Sequence, residues 1–97
     1  MPKAYWISSY LKIIDKNKVA AYRKLAIPAI TSCGGRFLAR GLPEKAYDLG
    51  MIERVVIIEF ESVEAAISAH DSPDYQAALK ALDGGLEREI RIVEGIE

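Results

Sequence analysis

Cysteine and histidine occur once each in the 97 residues, as Cys33 and His70. A lone cysteine excludes an internal disulfide. One histidine with one thiol also gives no zinc-ligand spacing, so neither a metal nor a cofactor is expected. The same scarcity suits a reducing, cytoplasmic setting. No sign of charge dominates: 13 Lys and Arg against 14 Asp and Glu leave a net charge of -1. That balance offers no basic footprint for nucleic acid or for an anionic membrane surface. Long apolar runs are missing too. The opening MPKAYWISSY holds one lysine and then alternates, unlike the continuous apolar core of a secretion signal. No stretch reaches the roughly 20 residues of a membrane-crossing helix. The expectation is a cytoplasmic chain with no nucleic-acid partner and no membrane span.

What is present is ordinary globular material. Hydrophobic residues make up 51% and charged residues 28%, which excludes a disordered chain. The length fits a single domain over residues 1–97, small enough that much surface stays exposed and a partner subunit would help. Lys3 to Ile13 alternates Tyr5, Ile7, Ser9 and Leu11 against Trp6, Ser8, Tyr10 and Lys12 and predicts a first strand. Asp15 can cap a helix in which Val19, Tyr22, Ala26, Ile30 and Cys33 recur at helical spacing, ending at Gly34 and Gly35. Pro28 inside it predicts a kink or a break near Leu25. RFLARG, Arg36 to Gly41, predicts a second strand, and LPEKAYDLG a loop.

Glu53 to Phe60, ERVVIIEF, is the strongest strand signal, because Val55, Val56, Ile57 and Ile58 are consecutive β-branched residues on alternating faces. A strand apolar on both faces is expected to be covered on both. A helical pattern then runs from Val63 to His70 and restarts at Ser72 and Pro73, with Tyr75, Ala78, Leu79 and Leu82 as its stripe. EREIRIVEGI alternates as a last strand. The order βαββαβ defines an α+β, ferredoxin-like fold, a four-stranded antiparallel sheet with helices on one face. Since the other face would carry Val55 and Ile57, the expected cover is a second copy of the chain. The result is a homodimer of the dimeric α+β barrel kind, joined through its sheet faces.

Strict alternation along the second strand places Arg36, Leu38 and Arg40 on the side away from Phe37 and Ala39. With Phe37 and Ala39 under the helices, the arginines face the space between the paired sheets, where Glu59 also points. Two readings of this pair compete. Arg40 and Glu59 can satisfy one another as a structural ion pair, or Arg40 can bind a carboxylate or enolate through its fork while Glu59 orients it or moves a proton. Arg40, Glu59 and Arg36 are therefore candidate ligand-binding residues, joined by Trp6 and Tyr10 as aromatic lining. His70 is a further candidate base, set against a plain role at a helix end beside Asp71. Tyr5 and Tyr22 suit core or interface, and Cys33 a buried small hydrophobe. Glu94 can pair with Arg91 at a strand end.

GGRFLARG, RVVIIEF, SPDYQAA and the closing IVEG, in this order and spacing, resemble the domain of unknown function 1330 family over Tyr5 to Gly95. The resemblance implies a dimeric α+β barrel and leaves the chemistry open. Families similar in fold include cofactor-free monooxygenases, isomerases and haem-handling proteins. Leu42 stands where relatives commonly carry a second glycine, and LDGGLE replaces a stretch that often holds an arginine. The functional expectation is a small homodimer that binds a small organic acid or aromatic metabolite between its sheets, with cofactor-free chemistry an option. The alternative is a non-catalytic binding or structural dimer.

Overall fold

Alternation in AYWISSYLKI produces the first strand, β1 (Ala4–Ile13), in the computed structural model, which describes residues 2–96. Ala4, Trp6, Ser8 and Tyr10 are buried, and Tyr5, Ile7 and Ser9 lie half-buried on the opposite face. Asp15 caps the helix that follows, α1 (Lys16–Ser32), its carboxylate accepting from the backbone N–H groups of Asn17 and Lys18 at 2.9 and 3.2 Å. The helix buries Val19, Tyr22, Ala26, Ala29 and Ile30. It runs through Pro28 as one element, so the break does not occur. Lys24 and Pro28 both lie on its exposed side, where water can take the carbonyl that proline leaves without a donor.

Gly34, at φ +90°, turns the chain out of α1 in a conformation that a side chain would strain. The remaining elements are β2 (Arg36–Gly41), β3 (Val55–Phe60), α2 (Val63–Asp71), α3 (Pro73–Leu82) and β4 (Leu86–Glu94). Ser62 caps α2 through Ala65 N–H at 3.1 Å, and Ser72 caps α3 through Tyr75 N–H at 3.3 Å. The helical restart at Ser72 is therefore a true boundary between two short helices.

The strands are ordered β2-β3-β1-β4 and every neighbouring pair is antiparallel, the ferredoxin-like arrangement. One core forms between this sheet and the helices: Trp6, Tyr10, Val56, Ile58 and Phe60 from the strands, Tyr22, Ala26 and Ile30 from α1, Ala66 and Ala69 from α2, Tyr75, Ala78 and Leu82 from α3. Among the described residues no helix covers the opposite face. Ile7, Val55 and Ile57 are only half-buried there, and Val93 is 52% exposed.

Two expectations are corrected. The register between β2 and β3 shifts between Phe37 and Ala39: Arg36 lies opposite Glu59 and Phe37 opposite Ile58, but Ala39 lies opposite Ile57 and Arg40 opposite Val56. Leu38 is the extra residue of a bulge, and each residue after it changes face. Ala39 thus joins the open face, whereas Arg40 joins the helix-covered one. Cys33, expected to be buried, is exposed at the C-terminus of α1, since the helix stripe ends at Ile30.

The turn into β2 is packed against the core at Gly35. A Cβ there would lie 2.5 Å from Ile30 Cγ2 and 2.9 Å from Phe60 Cζ. Gly35→Ala is expected to cost about 1 to 3 kcal/mol, as overpacking does, read as a lower urea midpoint with an unchanged slope. A midpoint equal to that of the parent protein would show that the turn can shift freely.

Candidate functional site

The seam between α1 and the β2 half of the sheet does not close. Where the chain could have set large apolar groups it has Ala26 on the helix and Ser8 on β1, and a hollow remains, lined also by Trp6, Tyr10, Tyr22, Ile30, Phe37, Val56 and Ile58. Four arginines reach it: Arg23 from α1, Arg40 from β2, Arg54 from the residue before β3, and Arg88 from β4. No carboxylate is among its lining residues. The volume in which the centre of a water molecule can sit is about 40 Å³. At ~10 to 15 Å³ per water this is room for about three waters or the head group of a small acid. A bulkier ligand must leave its body in the open mouth.

The guanidinium groups are held in different ways. Arg88 is fixed by aromatic chemistry, lying 4.6 Å from the centroid of the Tyr22 ring. Its Nη1 donates to the Tyr22 hydroxyl at 2.8 Å and its Nη2 to the Tyr75 hydroxyl at 3.1 Å. Burial disfavours its charge, but the two phenol oxygens outweigh burial, and its pKa moves up from the ordinary guanidinium value. Arg54 moves the other way. Burial pushes its pKa down, repulsion from Arg23 and Arg40 adds to this, and Tyr10 opposes it. Arg40 is exposed over most of its length, with its guanidinium carbon 5.3 Å from the centroid of Phe37 at the mouth. The Nε atoms of Arg23 and Arg54 and the hydroxyl of Ser8 are buried with no hydrogen-bond partner among the described residues. Unpaired buried donors cost about 1 to 3 kcal/mol each, and here they converge on one space.

The residues singled out from sequence are divided by the fold. Trp6, Tyr10 and Arg40 line the hollow. Arg36 and Glu59 lie across from one another on the open face. Glu59 takes Lys3 at 3.4 Å and raises the pKa of that lysine by its hydrogen bond and its charge. The expected Arg40–Glu59 pair is not formed, because the bulge at Leu38 puts the two on opposite faces. His70 does not line the hollow. Its ring packs 5.6 Å from that of Trp6 and 5.2 Å from that of Tyr75, its Nδ1 lies 3.0 Å from Asp71 Oδ1, and it borders a separate shallow depression with Ile67, Ile90 and Ile92. The side facing the expected partner carries a groove between Ser9, Leu11, Val55 and Glu89 of the sheet and Tyr47 and Leu49 of the loop, with no arginine in it.

Sequence reasoning passed over Arg23, Arg54, Arg88 and Ser8. A signal was there. In β4, Arg88 shares its parity with Leu86, Ile90 and Ile92, and Arg54 shares that of Val56 and Ile58. A permanent charge on a core-facing position is the pattern to look for. Among the described residues no group of three or more His, Cys, Asp or Glu side chains is placed to hold a metal ion.

The fold and site define a ferredoxin-like α+β protein with an arginine-lined hollow between its first helix and its sheet. Residues 3–96 match the model of the family described as Domain of unknown function (DUF1330), and the chain belongs to that family. It has no match among curated proteins. Solved structures share its fold. A protein of unknown function from Rhodopseudomonas palustris aligns with TM-score 0.75 at 16% identity, over 99% of this chain and 84% of that one. SnoaB from Streptomyces nogalater, described as a cofactor-independent oxygenase, aligns with TM-score 0.67 at 12% identity, over 100% of this chain and 96% of its own. A dimeric protein of unknown function from Bacteroides fragilis, described as ferredoxin-like, aligns with TM-score 0.57 at 17% identity over 96% of each chain.

Tyr75 is fully buried, and its pKa is raised far above the ordinary phenol value, first by burial and next by the neighbouring Tyr22. An acid whose folded pKa is raised keeps its proton after the unfolded chain has lost its own, so its contribution to stability is complete below the unfolded pKa of about 10 and declines above it. Denaturation between pH 9 and 11 should show a decline of up to about 1.4 kcal/mol per pH unit from this group, absent in Tyr75→Phe. Parallel pH profiles for the two proteins would contradict the assignment.

Proposed function

We propose that this protein is a homodimer that binds a small organic acid in the hollow of each subunit, with Arg40 at the mouth and Arg23 and Arg54 further in. The observation that carries the reading is that four arginine side chains line one space without a carboxylate, two of them with a buried Nε lacking any partner among the described residues. Arginines that serve structure alone are paired. Arg88 has such partners in two phenols, whereas Arg23 and Arg54 each keep a buried Nε with no partner among the described residues. The bound acid sits under α1, on the side of the sheet opposite the groove facing the partner. Binding is favoured over catalysis because the hollow offers guanidinium and hydroxyl groups but no side chain with an ordinary pKa near neutrality. The likeness in fold to a cofactor-independent oxygenase supports a second reading, in which the acid is also turned over.

Dimerisation is supported by the uncovered face. Ile7, Val55, Ile57 and Val93 look outward from the sheet, and the loop before β3 exposes Leu42, Tyr47, Leu49, Met51 and Ile52. One fold neighbour is described as dimeric. A cytoplasmic location accords with an exposed, unpaired Cys33.

Two measurements test the reading. Amide shifts of Ser8, Tyr22 and Arg54 should move to saturation with at least one of acetate, benzoate and inorganic phosphate, and Arg40→Met should weaken that affinity by about 1.5 to 3 kcal/mol with little change in stability. Absence of any saturable shift refutes the binding site. In sedimentation at micromolar concentration the protein should run as a dimer and Ile57→Asp as a folded monomer. A monomeric parent protein refutes the pairing.

A further inference from the structure

We infer that the group held in the hollow is a compact, doubly charged oxyanion of the phosphate type, and that the Tyr22 hydroxyl is one of its hydrogen-bond donors. The inference rests on the binding reading above and narrows its ligand.

Charge and size set the class. The lining includes four arginine side chains, whose guanidinium groups donate and never accept, and no carboxylate. A singly charged acid would leave three of the four charges uncompensated, whereas a dianion halves the excess. The available volume of about 40 Å³ takes a tetrahedral oxyanion head but not two carboxylates spread along a chain. The unpaired donors are also too many for one carboxylate: Arg23 Nε, Arg54 Nε and Ser8 Oγ are buried with no partner among the described residues, and Arg40 stands at the mouth. A phosphate-type group brings three terminal oxygens to such a set.

Hydrogen-bond bookkeeping assigns the proton of Tyr22. The two phenol oxygens, Tyr22 and Tyr75, lie 2.6 Å apart, so one donates to the other. Among the described residues the only other partner of the Tyr75 hydroxyl is Arg88 Nη2, a donor. Tyr75 is fully buried, and among the described residues its proton has one hydrogen-bonded acceptor, the oxygen of Tyr22. That oxygen then accepts from both Tyr75 and Arg88 Nη1, and its own proton has no acceptor among the described residues. Since Tyr22 lines the hollow, the proton is free to meet an occupant there. Two incoming hydrogen bonds, one of them from a cation, make the Tyr22 hydroxyl a stronger donor.

The test uses methyl phosphate and methyl sulfate, which share a shape but differ in charge, titrated into the whole protein at constant ionic strength. Methyl phosphate acquires its second charge near pH 6, so its apparent affinity should rise roughly tenfold between pH 5 and pH 7.5. The titratable and charged side chains facing it from every element are Arg23, Arg40, Arg54, Arg88, Tyr10 and Tyr22, with no carboxylate or imidazole among them. Methyl sulfate, singly charged throughout, should bind more weakly and without pH dependence, and succinate should bind more weakly than methyl phosphate at pH 7.5. If methyl sulfate or succinate binds as tightly as methyl phosphate, the phosphate assignment is overturned while the binding reading stands. If Arg54→Met leaves methyl phosphate affinity unchanged, the hollow is not the site and both fall. Tyr22→Phe and Tyr75→Phe break the same hydrogen bond, yet only Tyr22→Phe should lose about tenfold in affinity, with Tyr75→Phe within about twofold. Equal losses in the two variants would overturn the role given to Tyr22.

Discussion

The structure turns on unneutralised positive charge at the seam between α1 and the sheet. Guanidinium groups brought out of water lose hydration, and in a small domain nothing else makes up for that unless each finds acceptors. One of the four, Arg88, has two phenol oxygens and an aromatic face. The remaining three lie near one another: burial first, and then repulsion from Arg23 and Arg40, pushes the pKa of Arg54 down. Packing is given up in the same place. Ala26 and Ser8 leave space that larger apolar groups would have filled, in a core otherwise built from Trp6, Tyr75, Phe60 and Ile58. Lost packing and unpaired charge at one location are two costs that a purely structural seam has no reason to combine.

The Tyr22–Tyr75–Arg88 cluster ties this location to the fold as a whole. Its members come from α1, α3 and β4, so one polar contact joins both crossover connections to the edge of the sheet. Tyr75 also packs edge-on against Trp6 at 5.1 Å and against Tyr22 at 6.0 Å. The aromatic rings supply the apolar burial and their hydroxyls supply acceptors for a cation that would otherwise be stranded. The position of α1 over the sheet, and hence the width of the hollow, is set by the same contacts that hold the core.

Much of the architecture was legible because it depends on local periodicity. The alternation of β1, the β-branched run of β3, the helix starts at Asp15 and Ser72 and the glycines at 34 and 35 are features a single strand or helix displays by itself. The face of Arg40 was not, because it depends on a bulge. Nothing in RFLARG announces that Leu38 is the residue left unmatched by β3, and one unmatched residue reverses the parity of all that follow. The site was half legible for a related reason. Trp6, Tyr10 and Arg40 were marked as candidates, but they were grouped with Glu59 and Arg36, which share only the parity of an unbulged strand. Arg54 and Arg88 sat in plain view on core-facing positions. They were passed over because alternating strands bounded by glutamates invite one to read every charge as solvated.

The loop between β2 and β3 links the two faces of the molecule. It leaves β2 just after Arg40 and enters β3 just after Arg54, so both arginines are anchored at its ends. Arg54 is further held where its carbonyl accepts from Tyr10 N–H at 2.9 Å. Between them the loop exposes Leu42, Leu49 and Tyr47, the last at 75%. Apolar side chains so exposed are held loosely in an isolated chain, and packing them against the proposed second subunit would restrict the loop and with it the backbone at either end. The hollow needs no residue from the partner, but the spacing of two of its four guanidinium groups depends on a segment the partner would hold. Dimerisation of the proposed kind would then act as pre-organisation, lowering the entropy lost when the arginines close on the proposed anion without touching the anion itself.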